Sequence, residues 1–272
     1  MLVSVDFSKC NKDGLCVLEC PARILEMQDN GPFAIEGAED ICIQCGHCVA
    51  ICPEAAISLD FLSPDDCMEV DQNLHLPADH VEHFLKSRRS IRTYKKKPVP
   101  VDLLEKALSI ASYAPTGSNR QSVRWLVIHD QKDVHAIGSH VIDWMRFVIN
   151  EHPDIASNFN MPKLVGAWEE GIDRICRDAP HLIFAYALKE NTSGKADCDT
   201  ALAYLELTLP SLGLGSCWAG YATAAANQWP PLTAFLKLED DHLIHGAVMA
   251  GYPKFAYKRI PTRNKADIVY LK

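Results

Sequence analysis

The chain has no basic surplus. Of its 272 residues, 27 are Lys or Arg and 35 are Asp or Glu, a formal net charge of -8 at pH 7. A general nucleic-acid binder needs a basic face, so that class is set aside. A long apolar run is missing too. No stretch reaches the roughly 18 residues that a membrane span requires. The opening residues, MLVSVDFSKC, hold neither a basic n-region nor an apolar h-region. No secretory signal is expected, and the expected location is the cytoplasm. With 48% hydrophobic residues the sequence is not of the disordered type.

Nothing here points to an oxidising compartment, yet there are eleven cysteines. Seven lie within the first 52 residues, and only Cys67, Cys176, Cys198 and Cys217 lie beyond. Clustered thiols in such a chain point to metal rather than to a disulfide framework. The later four are expected to be structural thiols, because buried free Cys is common.

An internal repeat organises the cluster. Residues 10–21 and 42–53 both end in Cys, three residues, Cys-Pro, and the copies are offset by 32 residues. The second copy reads Cys42-x2-Cys45-x2-Cys48-x3-Cys52-Pro53, the bacterial ferredoxin spacing for 4Fe–4S clusters. A compact loop offers three thiolates to three irons of one cube. The fourth cysteine lies beyond the loop and serves the other cube. The first copy, Cys10-x5-Cys16-x3-Cys20-Pro21, has Asp13 where a cysteine would fall. The expected ligand sets are therefore Cys10, Asp13, Cys16 and Cys52 for the first cluster, and Cys20, Cys42, Cys45 and Cys48 for the second. A carboxylate holds iron less firmly than a thiolate, so the first cluster is expected to convert readily to a 3Fe–4S form. Asp13 could instead be a solvated turn carboxylate before Gly14. A zinc ribbon would use paired cysteines separated by longer loops, which this pattern does not show.

Three stretches follow along the chain: residues 1–60 with the cysteines, an acidic and Pro-punctuated linker at 61–83, and a mixed helical and strand region at 84–272. Helical spacing is visible near 80–88 and at 102–113, where Asp102 and Glu105 fit a capping box. VRWLVIH at 123–129 alternates like a half-buried strand. HLIFAYAL at 181–188 is a buried strand or a core helix. Residues 197–212 read as a helix apolar nearly all round, for a large core or a subunit interface. IHGAVMAGYP at 244–253 reads as a strand ending in a turn. The fold class expected is α+β.

From residue 84 the sequence resembles the nitroreductase family of FMN oxidoreductases. The resemblance rests on four segments: Arg88-Arg89-Ser90-Ile91-Arg92-Thr93-Tyr94; Ala114 to Gln121; Leu212 to Gly220; and Gly251-Tyr252-Pro253 followed by Arg259 to Lys265. It implies that Arg88, Arg89, Ser90 and Arg92 meet the FMN phosphate, for which guanidinium forks are suited. It implies that Pro115, Thr116, Gly117 and Asn119 touch ribityl and ring groups from the partner subunit. Cys217, Trp218 and Gly220 are implied beside the ring, with the Gly220 backbone near flavin N5. A basic residue of the tail, Arg263 or Lys265, is implied at the phosphate. Any one of these segments has a plain alternative, a solvated Arg face or an ordinary turn. The stretch 130–178 matches nothing that can be placed.

The resemblance implies a homodimer with FMN at the interface, and no side-chain nucleophile. With the cysteine module attached, the expected function is electron transfer from a low-potential donor such as ferredoxin, through two 4Fe–4S clusters, to FMN and on to an organic acceptor such as a nitroaromatic or quinone. The alternatives are an NAD(P)H-dependent FMN reductase whose clusters pass electrons outward, a redox-sensing module without dedicated turnover, or specialised chemistry such as reductive dehalogenation.

Overall fold

A computed structural model describes residues 1–271. The chain separates into two compact units. The first holds Met1–Leu76 together with Ser118–Arg120, and the second holds Pro77–Gly117 and Gln121–Lys272. The boundary lies inside the 61–83 segment expected to link them. Its first half folds into two short 3₁₀ turns, Pro64–Asp66 and Gln72–Leu74.

The first unit is built from short pieces. Strands β1 (Val3–Val5) and β4 (Ile57–Leu59) pair antiparallel, as do β2 (Leu25–Gln28) and β3 (Gly31–Ala34). Helices α1 (Leu15–Glu19), α2 (Ala38–Ile41) and α3 (His47–Ile51) are one turn each. Its core is small: Val3, Ile24, Leu25, Val49, Ile57 and Leu59 surround the buried Cys16 and Cys48. The 32-residue repeat is visible in the backbone. Helices α1 and α3 are offset by 32. So are three pairs of left-handed residues: Lys12 (φ 62°) and Gln44 (52°), Gly14 (75°) and Gly46 (70°), Arg23 (52°) and Ala55 (48°).

The second unit is an antiparallel sheet with strand order β5 (Arg124–Ile128), β6 (His181–Leu188), β8 (His242–Gly251), β7 (Gly215–Trp218). Helices cover both faces. The chain enters through α4 (Ala78–Ser87) and α5 (Val101–Ala111). Then follow α6 (Gln131–Glu151), α7 (Pro153–Asn158), α8 (Met161–Glu169), α9 (Gly194–Ser211), α10 (Gly220–Gln228) and α11 (Pro230–Leu236). On one face Ile183, Ala185, Val248 and Ala250 pack with Leu104 of α5 and Leu202, Leu205 and Leu209 of α9. On the other, Leu182, Phe184, Ala247 and Met249 pack with Ile137, Val141 and Met145 of α6 and Ala225 of α10. Burial on both faces explains why HLIFAYAL is a continuous apolar run: it is the strand of the two expected alternatives.

The capping box expected at Asp102 and Glu105 does not form. Helix α5 starts earlier, after Pro100, with no side-chain cap, and Asp102 sits in its first turn. Proline entering a helix fixes φ and forgoes an N–H that would be unpaired there anyway.

Candidate functional site

Two hollows in the first unit gather the cysteines. One is lined by Cys10, Cys16, Cys52 and Asp13, with Met27 and Pro32. The other is lined by Cys20, Cys42, Cys45 and Cys48, with Ile24 and Leu59. The chain thus brings both expected ligand sets together, crossed as the repeat requires: Cys52 goes to the first hollow and Cys20 to the second. Cys67 lines neither; its Sγ faces the Ser63 carbonyl at 3.6 Å. The Asp13 carboxylate accepts from the Leu15 N–H at 3.0 Å, which leaves its other oxygen for the hollow.

The shells suit a cube better than a single ion. About 2.3 Å from zinc to each sulfur puts tetrahedral sulfurs about 3.8 Å apart. Among the described residues, the group of three metal-type ligand atoms all within 4.8 Å of one another is Glu239, Asp241 and His242, not cysteines. Backbone amides also point at the sulfurs: Ile24 N–H to Cys20 Sγ at 3.4 Å, Gln44 N–H to Cys42 Sγ at 3.4 Å, and Ala56 N–H to Cys52 Sγ at 3.3 Å. Such bonds stabilise thiolate charge and tune a cluster. Burial pushes the Cys48 thiol up to about 11 and raises Cys16 as well. A cation is needed to hold these two as thiolates.

In the second unit the Arg88–Arg92 run divides between two cavities. Arg88 and Arg89 line one of about 510 Å³ with Lys95, Lys254, Ser216 and Glu206. Arg92 lines another of about 710 Å³ with Cys217, Trp218, Gly220, Trp144 and Phe159. Ser90 lines neither. Tyr94 closes this run, pinned through its hydroxyl to the Ile91 carbonyl at 2.7 Å. Strand β7 divides in the same way, with Gly215 and Ser216 at the first cavity and Cys217 and Trp218 at the second.

Glu206, absent from the expected site residues, also lines the first cavity. It lies buried on α9. Its carboxylate accepts from Trp218 Nε1 at 2.7 Å, from Arg88 at 3.3 Å and from Ser216 Oγ at 3.4 Å. A buried carboxylate needs such partners. It fixes Arg88 while leaving most of that guanidinium's five donors free.

Gly220 opens helix α10, so its N–H has no partner within the helix. The neighbouring Ala219 N–H is already given to the Ala247 carbonyl at 2.8 Å. A Cβ at Gly220 would meet nothing within 4 Å, so the position faces open space. The 115–121 segment is shaped by its own bonds. The Gly117 N–H goes to the buried Asp197 carboxylate at 2.9 Å, and the Thr116 hydroxyl accepts from the Gln121 N–H at 2.9 Å. Residues 118–120 belong to the first unit, where the Asn119 amide donates to the Ile43 and Gln44 carbonyls at 3.3 and 2.9 Å. Pro115 lines neither cavity. Arg263 and Lys265 lie exposed, outside helix and strand.

The sequence profile of the nitroreductase family matches residues 85–252, and that of a 4Fe–4S dicluster domain matches residues 2–53. The chain belongs to the nitroreductase family. It is an oxidoreductase of that family with an N-terminal dicluster domain of the ferredoxin type. An iodotyrosine deiodinase of Thermotoga neapolitana is 25% identical over 48% of this chain and 68% of its own length. A ferredoxin of Methanothermococcus thermolithotrophicus is 36% identical over 21% of this chain and 95% of its own. A nitroreductase of Bacteroides fragilis, solved with bound FMN, shares the fold. It aligns over 71% of this chain and 98% of its own, with 21% identity and a TM-score of 0.58. Among the described residues, no helix is long and apolar enough to cross a membrane.

Proposed function

We propose that this nitroreductase-family chain binds FMN and two 4Fe–4S clusters, and passes electrons from a low-potential donor such as reduced ferredoxin through the clusters to FMN and on to an organic acceptor, a nitroaromatic or a quinone. One observation carries the reading: a single chain holds two four-ligand hollows of cluster type and, in its second unit, a cavity with an unpaired backbone donor at Gly220 beside Arg92 and Trp218. FMN, when bound, supplies both one- and two-electron transfer.

The chain's own residues then have these parts. Arg88, Arg89 and Ser90, with Arg92, offer donors to the phosphate, and Glu206 holds Arg88 in place for it. Gly220 offers its N–H to the N5 edge, with Trp218 and Cys217 beside the ring. Pro115, Thr116, Gly117 and Asn119, and Arg263 or Lys265 from the tail, are proposed to reach the cofactor in a homodimer. The exposure of Phe255, Tyr257, Ile268, Val269 and Tyr270 along the tail favours such a dimer, since apolar side chains this open call for a cover. A single-chain mass by light scattering would remove the dimer.

In the first unit, Asp13 is proposed as the fourth ligand of the first cluster. Air exposure then converts that cluster to a 3Fe–4S form visible by EPR; a cube that survives oxidation would assign Asp13 to its turn alone.

An anaerobic titration followed by visible spectra tests the main reading, with NADH, NADPH and chemically reduced ferredoxin as donors. The expectation is that ferredoxin bleaches both cluster and flavin bands. Rapid flavin reduction by NAD(P)H, with the clusters following, would reverse the path.

A further inference from the structure

The 710 Å³ cavity carries more positive charge than its cofactor role asks for. Three guanidiniums line it, Arg92, Arg174 and Arg177, and no Asp or Glu does. That is a local excess in a chain whose net charge is -8. Its other walls are apolar or aromatic, among them Trp144, Ile155, Phe159 and Met161.

Arg174 and Arg177 come from one short loop between α8 and β6, and the loop is held firmly. The Asp173 carboxylate accepts from the backbone N–H of Ile175 at 2.8 Å, Cys176 at 2.8 Å and Asp178 at 3.0 Å. Arg177 and Asp178 both adopt left-handed backbone, φ 57° and 50°, which non-glycine residues take only under constraint. Cys176 between the arginines is fully buried and anchors the loop to the core. The loop is also two-sided. Its acids, Asp173 and Asp178, line a separate hollow with Lys96 and Lys132, while its two arginines line the large cavity. Among the described residues neither Arg174 nor Arg177 has an ion pair to neutralise it.

We propose that this cavity selects acceptors with an apolar ring that carries an anionic group, a carboxylate or its equivalent, bound by Arg174 and Arg177. The inference rests on the reading of this cavity as the acceptor side of the flavin site. The apolar walls take the ring, and guanidinium forks match a carboxylate in geometry and charge. Of the arginines proposed for the cofactor phosphate, Arg88 and Arg89 line the other cavity and Arg92 lines this one, which leaves Arg174 and Arg177 for another anion.

The test is calorimetric titration of the oxidised holoenzyme with 4-nitrobenzoate and with 4-nitrobenzamide, its uncharged near-isostere. The expected result is about tenfold or tighter binding of the carboxylate, the scale of one hydrogen bond to a charged group, with the gap narrowing as salt rises. In Arg174→Gln and Arg177→Gln the ratio between the two probes falls toward one. Equal binding of the two probes by the native protein overturns the inference, with no variant needed. Variants that lose FMN while keeping the probe ratio also overturn it, and assign the loop to the cofactor. Calorimetry does not depend on turnover. Probe selectivity in a protein that carries no flavin would sink the proposed function and leave the anion site standing; flavin turnover without selectivity would do the reverse.

Discussion

The two units hold themselves together by different means. Residues 1–76 carry 14 acidic and only 3 basic side chains, and the rest of the chain carries 21 acidic and 24 basic. The first unit has one-turn helices, two-stranded sheets and a handful of buried aliphatics. A segment of that size is marginal by apolar burial, and its acidic surplus adds repulsion. The second has a four-stranded sheet covered on both faces, with Phe184 and Leu205 fully buried. Its stability comes from packing. On the proposed reading, the first unit is expected to lean on its clusters to fold, and the second on its own packing.

The largest effect should therefore come from a ligand thiol. Cys48→Ser removes the most buried ligand of the second hollow. Iron per chain should fall by about half or more, since each cube holds four irons. The first unit should lose its protection from proteolysis, and the second should melt as before. Equal destabilisation of both units would break the comparison.

A smaller effect, confined to the second unit, is expected from Glu206→Gln. Arg88 loses its counter-charge, while the one remaining oxygen can still accept from Trp218 and the amide nitrogen can donate to the Ser216 hydroxyl. Removing one partner of a buried pair costs about 3 kcal/mol, which a shift in the urea midpoint reports. An unchanged midpoint would show that Glu206 is bystander to Arg88.

The smallest effect concerns pH. Burial, reinforced by the neighbouring His129, lowers His181 from its ordinary 6.5 to about 4. Its Nε2 accepts the Val99 N–H at 2.7 Å, which requires the neutral ring. The unfolded chain takes up this proton first. The contribution is therefore complete above about pH 6.5 and is lost as pH falls toward 4. The melting temperature of the second unit should drop across that window, and His181→Gln should flatten the drop. A native profile already flat there would assign no such role to His181.

Sequence reading reached some of this and not the rest, for identifiable reasons. The cysteine spacing is a local rule, so both ligand sets could be read before any fold was known. Helix α9 and strands β6 and β8 were visible as apolar runs. Helix α6 was passed over, although Val134, Ile137, Val141, Met145 and Val148 repeat at helical spacing and all are buried. Glu206 could not be found that way: a lone acid in an apolar helix reads as a solvated position, and its partners lie 10 to 118 residues away. Adjacency in sequence also hides how the Arg run is distributed in space. In the fold Arg88 and Arg89 line one cavity and Arg92 lines another.

The 32-residue repeat carries a consequence for descent. Left-handed residues recur in register at 12 and 44, 14 and 46, and 23 and 55, and the amide-to-sulfur bonds at Cys20 and Cys52 recur with them. At 13 and 45, where the ligand itself should recur, the halves differ, Asp against Cys. A doubled ancestral half would have left this record. What it handed down most faithfully is the path of the main chain. The cysteines at 10 and 42, 16 and 48, and 20 and 52 recur with it, and the position at 13 and 45 is the one among them that differs.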